Sequence, residues 1–185
     1  MIVTLAQVKA RLGISEEDGS QDDALTLRIQ ALECAIRART NNKFQDIRVR
    51  SSGTMAIAAA SKSITGDLFN TRGFRGGNLI EINSIQNRGL FTVATVSDSQ
   101  MTVSEALVDE TDAMLITKVV YPMDLQQGVL DLIKYDQDMR DKAGIKSETI
   151  SRHSVTYYDM TAAESMDGYP ASMLSFVDKY RKLRW

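Results

Sequence analysis

The sequence predicts an α+β fold: a small antiparallel helical bundle interrupted by an inserted small β-barrel or sandwich, with a C-terminal arm. Three observations predict it. Apolar residues recur at helical spacing up to about residue 46 and again from residue 121. Between these stretches, short alternating runs rich in Gly, Ser, Thr, Ile and Val are cut by turn residues. Beyond Gly144 the chain holds far more apolar and aromatic residues than a solvated tail would carry. The expected organisation is 1–46 as the first part of a helical domain, 47–120 as an inserted β domain, 121–144 as the second part of the helical domain, and 145–185 as an arm with a strand and a terminal helix.

Thr4 can cap a short helix in which Leu5, Val8 and Leu12 recur at helical spacing, and Gly13 can end it. The acidic, polar segment Ile14–Gly19 reads as a loop. Ser20 is expected to cap a longer helix, with Asp22 and Asp23 in the first turn, where the helix dipole favours negative charge. Its stripe is Leu25, Ile29, Leu32 and Ile36, which Leu27 and Cys34 are expected to widen. Arg37 and Arg39 complement the dipole at the other end, and Asn41 and Asn42 can terminate the helix. In the β region, Arg48–Arg50 and Thr54–Ile57 read as a first strand pair. Ser63–Thr65, Leu79–Ile82, Phe91–Val96, Gln100–Val103 and Ala113–Thr117 read as further strands, separated by the turns 73–78, 87–89 and 97–99. Short strands at this density suit a small, strongly bent barrel or sandwich. Pro122 fits a first helical turn. The stripe Leu125, Val129, Leu132, Ile133 and Met139 follows to about Ala143, with Gly144 as terminator. Ser154–Tyr158 reads as a strand and Thr161–Gly168 as a polar stretch. Pro170 opens a last helix whose apolar face is Met173, Leu174, Val177 and Tyr180.

Composition narrows the function. Of 185 residues, 43% are hydrophobic, enough for a core, and the charges nearly cancel to a formal −2. A protein that grips nucleic acid by its phosphates usually shows a basic excess. The β region holds seven basic and seven acidic residues between Ile47 and Val120, which argues against a nucleic-acid-binding barrel. Cys34 is the single cysteine, so neither an intramolecular disulfide nor a Cys-based zinc site can form within one chain. No apolar run approaches the roughly 20 residues that span a bilayer, and the first residues lack the pattern of a secretion signal, so a cytoplasmic origin is expected. No cofactor is expected. Catalysis needs a positioned acid, base, nucleophile or metal. His153 stands alone, and Cys34 reads better as a core residue than as a nucleophile. Gly73-Phe74-Arg75-Gly76-Gly77 lacks the Gly-Lys-Ser/Thr of a phosphate loop and precedes a strand, so it reads as a turn. The expectation is a protein that is not an enzyme.

The helical frame resembles the head–tail connector (adaptor, head-completion) family of long-tailed phages. Three stretches carry the resemblance: Thr4-Leu5-Ala6-Gln7-Val8-Lys9 followed by an acidic loop and Asp22-Asp23-Ala24-Leu25; the helix after the β region; and the ending. That ending runs from Gly144-Ile145-Lys146-Ser147-Glu148-Thr149-Ile150 through Ser154-Val155-Thr156-Tyr157 and Gly168-Tyr169-Pro170 to Lys179-Tyr180-Arg181. Together they cover roughly 110 residues, and none is a catalytic motif. Small members pass almost directly from helix to helix, so the β insertion is a departure. Its text is similar to a small β module of various phage structural proteins. The resemblance implies a ring of about twelve copies beneath the portal protein, closed by heterologous contacts. Such a ring extends the channel for double-stranded DNA and offers a platform to the next tail-completion (stopper) component, in the virion and away from any membrane.

Within that frame the arm is the expected surface for the portal or a neighbouring subunit, through Tyr157, Tyr158, Tyr169, Leu174, Tyr180, Arg181, Leu183, Arg184 and Trp185. Trp, Tyr and Arg are the residue types that most often anchor interfaces. The plainer account of the terminal Lys179, Arg181, Lys182 and Arg184 is a solvated helix end complementing its dipole. Asp131, Asp136 and Asp138 are the expected channel-facing residues, since weakly acidic side chains let DNA slide. The competing expectation is a nucleic-acid- or glycan-binding β module carried on a helical scaffold.

Overall fold

A computed structural model describes residues 1–139, 147–150, 153–156, 165–166 and 169–183, with the strands at 147–150, 153–156 and 165–166 described by their backbone. The chain divides into two compact units: Met1–Asn42 together with Tyr121–Trp185, and Lys43–Val120. Four helices among the described residues and a closed six-stranded antiparallel barrel make the fold α+β, as the sequence predicts.

In the first unit, helix α1 spans Leu5–Leu12. Thr4 caps it through a capping box: its hydroxyl accepts the Gln7 N–H while the Gln7 side chain accepts the Thr4 N–H. Gly13 ends it in the left-handed conformation. Helix α2 spans Asp22–Thr40 and ends on Asn41, also left-handed. Two expectations about α2 need correction. Ser20 does not cap it. The flanking residue is Gln21, which makes no side-chain cap, and the Ser20 N–H is instead taken by the Asp18 carboxylate in a local turn. Leu27 and Cys34 do not widen the buried stripe: both are exposed. Each lies two residues from a stripe member, a rotation of about 200° that puts it on the opposite face. Leu25, Ile29, Leu32 and Ile36 are buried as expected. Helix α3 spans Met123–Met139 and buries Leu125, Val129, Leu132 and Ile133. Helix α4 spans Ala171–Asp178, directly after Pro170, and buries Leu174 and Val177. Ala143 and Gly144, expected at the end of α3, lie outside the described residues.

The second unit is the barrel. Its strands are β1 (Gln45–Ala58), β2 (Ser63–Thr65), β3 (Leu79–Asn83), β4 (Gly89–Val96), β5 (Gln100–Val103) and β6 (Glu110–Val119). Their order around the barrel is β1-β2-β5-β4-β3-β6, and β6 closes back on β1, so each strand has a neighbour on both sides for at least part of its length. The expected pair Arg48–Arg50 and Thr54–Ile57 is one strand. Ser51-Ser52-Gly53 separates the two expected strands, but the stretch stays in register with β6, from Arg50 opposite Thr117 to Ile57 opposite Glu110. Gly53 continues the strand at φ 144°, a conformation a side chain would strain. A register shift between Asp46 and Arg50 bends β1 near its start. Burial on β3 alternates with period two: Ile80 and Ile82 point inward and are fully buried. They join Ile64, Met101 and Ile116, and the rings of Phe69 and Phe74 meet edge to face with centroids 6.1 Å apart. Each fully buried side chain of this size stabilises the barrel by about 1.5–3 kcal/mol relative to exposure.

The remaining strands form two ribbons in the first unit. β7 (Ser147–Ile150) pairs with β8 (His153–Thr156), and β9 (Ser165–Met166) with β10 (Tyr169–Pro170). The stretch read as a polar loop thus contributes a short strand.

Candidate partner-binding surface

Residues 169–183 hold onto the helical unit through both backbone and side chains. A helix leaves its last carbonyls without intrahelical donors. On α2 the Thr40 carbonyl is satisfied by the Lys182 N–H at 2.7 Å. The side chains of Asn41 and Asn42 donate in turn to the carbonyls of Leu183 (3.3 Å) and Tyr180 (3.1 Å). The terminal segment therefore completes the C-terminal end of α2.

Further along, Arg28 of α2, Asp136 of α3 and Tyr169 of β10 form one node. The Arg28 Nε donates to Asp136 Oδ2 at 2.7 Å, and its Nη2 donates to the Tyr169 hydroxyl. That hydroxyl donates to the same Asp136 oxygen at 2.8 Å. The guanidinium also lies 5.5 Å from the centre of the Tyr169 ring, a cation–π distance. Burial, reinforced by Asp136, holds the Tyr169 hydroxyl well above its ordinary pKa, so it stays a donor throughout the physiological range. A second node is exposed: Tyr180 donates to Asp124 at 2.5 Å, and the Lys179 ammonium meets the other oxygen of that carboxylate. Exposed pairs of this kind orient side chains more than they stabilise. Between the nodes, α4 lies so close to α3 that a Cβ on Gly128 would fall on the Phe176 ring.

Against α2 these elements leave a cleft of about 230 Å³. Its floor is apolar, built from Leu32, Ile36, Leu132, Leu174 and Val177, and Arg28 and Arg39 also line it. Ala31 and Ala35 of α2 also line it, and their small side chains take up little of the space.

The arm residues singled out in the sequence fall into three groups. Tyr169 and Leu174 are buried in the core of the chain's own helical unit, where the node and the α4 contact hold them. Tyr180 is half-buried. Arg181 and Leu183 are exposed, Leu183 by 74%. Tyr157, Tyr158, Arg184 and Trp185 lie outside the described residues. Among the described arm residues, the surface open to a partner is thus Arg181 and Leu183 rather than the whole set. Each of the three α3 aspartates meets a cation of the same chain: Asp131 meets Arg11 at 2.7 Å, Asp136 meets Arg28, and Asp138 meets Lys134 at 2.7 Å. Arg28 was missed in the sequence. Its partners stand 108 and 141 residues away, a separation no local pattern reports.

The barrel carries a second organised feature. The buried Glu110 carboxylate accepts from the Ser84 hydroxyl, from the backbone N–H groups of Ile85, Gln86 and Asn87, and from the Asn87 side chain. Burial alone would raise its pKa, but these donors, Asn87 and Ser84 foremost, outweigh it and hold the carboxyl at about 2. The loop so anchored presents Ile85 to solvent, 80% exposed.

Among the described residues, no group of three His, Cys, Asp or Glu side chains could hold a metal ion, and no helix is long and apolar enough to cross a membrane. Residues 2–88 match the model of a family described as phage gp6-like head-tail connector protein. The match covers α1, α2 and the first half of the barrel. No curated protein matches the chain.

Proposed function

We propose that this chain, whose residues 2–88 match the phage gp6-like head-tail connector family, works as one subunit of a ring seated below the portal protein. The coarse role follows from the family: a structural connector of the virion. The finer reading is that about twelve copies close by heterologous contacts, extend the DNA channel and offer a platform to the tail-completion protein. The observation that carries it is the family match running through the helical scaffold and into the β insertion, which ties both units to one assembly role.

The exposed Arg181 and Leu183, with Arg184 and Trp185 beyond the described residues, are the proposed portal contact: apolar residues that alternate with basic ones in the sequence. Asp131, Asp136 and Asp138 on α3 are the proposed channel lining. Because each is matched by Arg11, Arg28 or Lys134, the wall they offer is close to neutral, and a near-neutral wall neither grips nor strongly repels phosphate. Co-sedimentation with purified portal particles tests the reading. The full chain should pellet with portal, and the double variant L183D/W185D should lose at least tenfold in affinity while keeping its helical content. A variant that pellets as well as the wild type removes the terminal segment from the portal contact.

A further inference from the structure

Helix α2 is apolar on two sides. Its inner stripe is buried, but Ala24, Leu27, Ala31, Cys34, Ala35 and Ala38 lie within a sector of roughly 100° on the other side, and every one is exposed. Leu27 is 68% exposed. The face extends into the apolar cleft at Ala31 and Ala35. A surface helix of a self-sufficient domain carries charged or polar residues there. Small side chains along that line allow a second helix to approach at about 8 Å, the short end of the usual range.

The two ends of α2 say what covers this face. At its N-terminal end stand Glu16, Glu17, Asp18, Asp22 and Asp23, with Lys9 buried against Asp22. At its C-terminal end the terminal segment places Arg181 and Lys182, both exposed, the latter with its backbone on Thr40. Nineteen helical residues separate the ends by about 28 Å, more than three times the screening length of roughly 8 Å at physiological salt. The unit is therefore acidic at one end of the apolar face and basic at the other. Laying two such faces together in parallel sets acid on acid and base on base. Laying them antiparallel brings each acidic end to a basic end, opposes the two helix dipoles, and joins the alanine faces in one self-complementary, two-fold contact.

We infer that the outer face of α2 is a docking surface for a second copy of this chain, placed antiparallel. A two-fold contact closes at two copies and cannot by itself build a ring, so the inference describes the free protein before it meets the portal and does not rest on the ring reading.

The experiment is light scattering of the full chain over a concentration series, with Cys34 as a built-in probe of the face. The wild type should be a dimer in the micromolar range, with Cys34 reacting with a maleimide at least tenfold more slowly than in the monomer obtained on dilution. Leu27→Lys, at a position outside the core, should raise the dissociation constant at least tenfold. The pair E16K/E17K and the pair R181E/K182E should each weaken the dimer, and the protein carrying all four changes should regain it. A wild type that stays monomeric with Cys34 freely labelled overturns the inference, as does a dimer indifferent to L27K. Either result leaves binding to portal particles, and hence the ring reading, to be judged separately.

Discussion

At the scale of single residues, two positions in the helical unit are tested by small changes. Gly128 sits in a helix interior, where alanine normally gains up to about 1 kcal/mol. Here the added methyl would strike Phe176, and overpacking costs about 1–3 kcal/mol. The balance predicts that G128A lowers the thermal midpoint of the full chain, and that adding F176L recovers part of the loss. Tyr169→Phe keeps the ring against Arg28 but removes both hydroxyl bonds, and urea unfolding should register a loss of about 1–2 kcal/mol. Residue roles were legible in the sequence where the partner is close along the chain. Thr4 and Gln7 stand three apart, and Gly13 answers only to the helix it ends, so local chemistry decides them. The Arg28–Asp136–Tyr169 node was not legible, because its members come from three elements far apart in sequence. Ser20 misled for a related reason: Asp18, two residues upstream, competes for the same turn and takes it.

At the scale of elements, periodicity found the helices and most strands. It misjudged how many sides of α2 carry apolar residues. Leu27 and Cys34 belong to a real stripe, but one displaced about 200° from the core stripe, and summing the two made a single wide face. β1 was cut in two because Ser-Ser-Gly is turn composition; only the partner strand β6, residue by residue opposite it, keeps the stretch extended. The loop held by Glu110 yields a prediction at this scale. Its carboxyl is depressed from an ordinary 4.5 to about 2 in the folded protein. The stabilisation is therefore complete above the unfolded value near 4.5 and fades as pH falls toward about 2. Urea unfolding of the full chain should show stability falling across that window, and Glu110→Gln should flatten the fall while lowering stability at neutral pH. An unchanged slope in the variant would show that other carboxylates control acid sensitivity.

At the scale of the whole molecule, the α+β character and the likeness to head–tail connectors were both within reach of the sequence, and for different reasons. Fold class follows from a change of hydrophobic period, 3.6 to 2 and back, that survives errors in single boundaries. Family followed from order and texture in the helical frame, and the family match over residues 2–88 rests on that first helical part together with half of the barrel. Tyr169 and Leu174 were harder to place from sequence. An aromatic or apolar residue in a C-terminal segment looks the same whether it serves a partner or its own subunit, and only the positions of Arg28, Asp136 and Phe176 decide between the two. The proposed portal contact accordingly shrinks to the last few residues, and residues 169–183 pack on the helical unit as part of one preformed body. A preformed body loses little conformational entropy on docking, which favours tight seating by a short anchor.

The account turns on assembly at the portal. Electron microscopy of portal particles mixed with the full chain tests it most directly. The account predicts a closed ring of identical copies, on the order of twelve, stacked coaxially on the portal exit with an open central channel. Portal particles that stay bare at saturating protein, or that carry single copies with no closed ring, would contradict it.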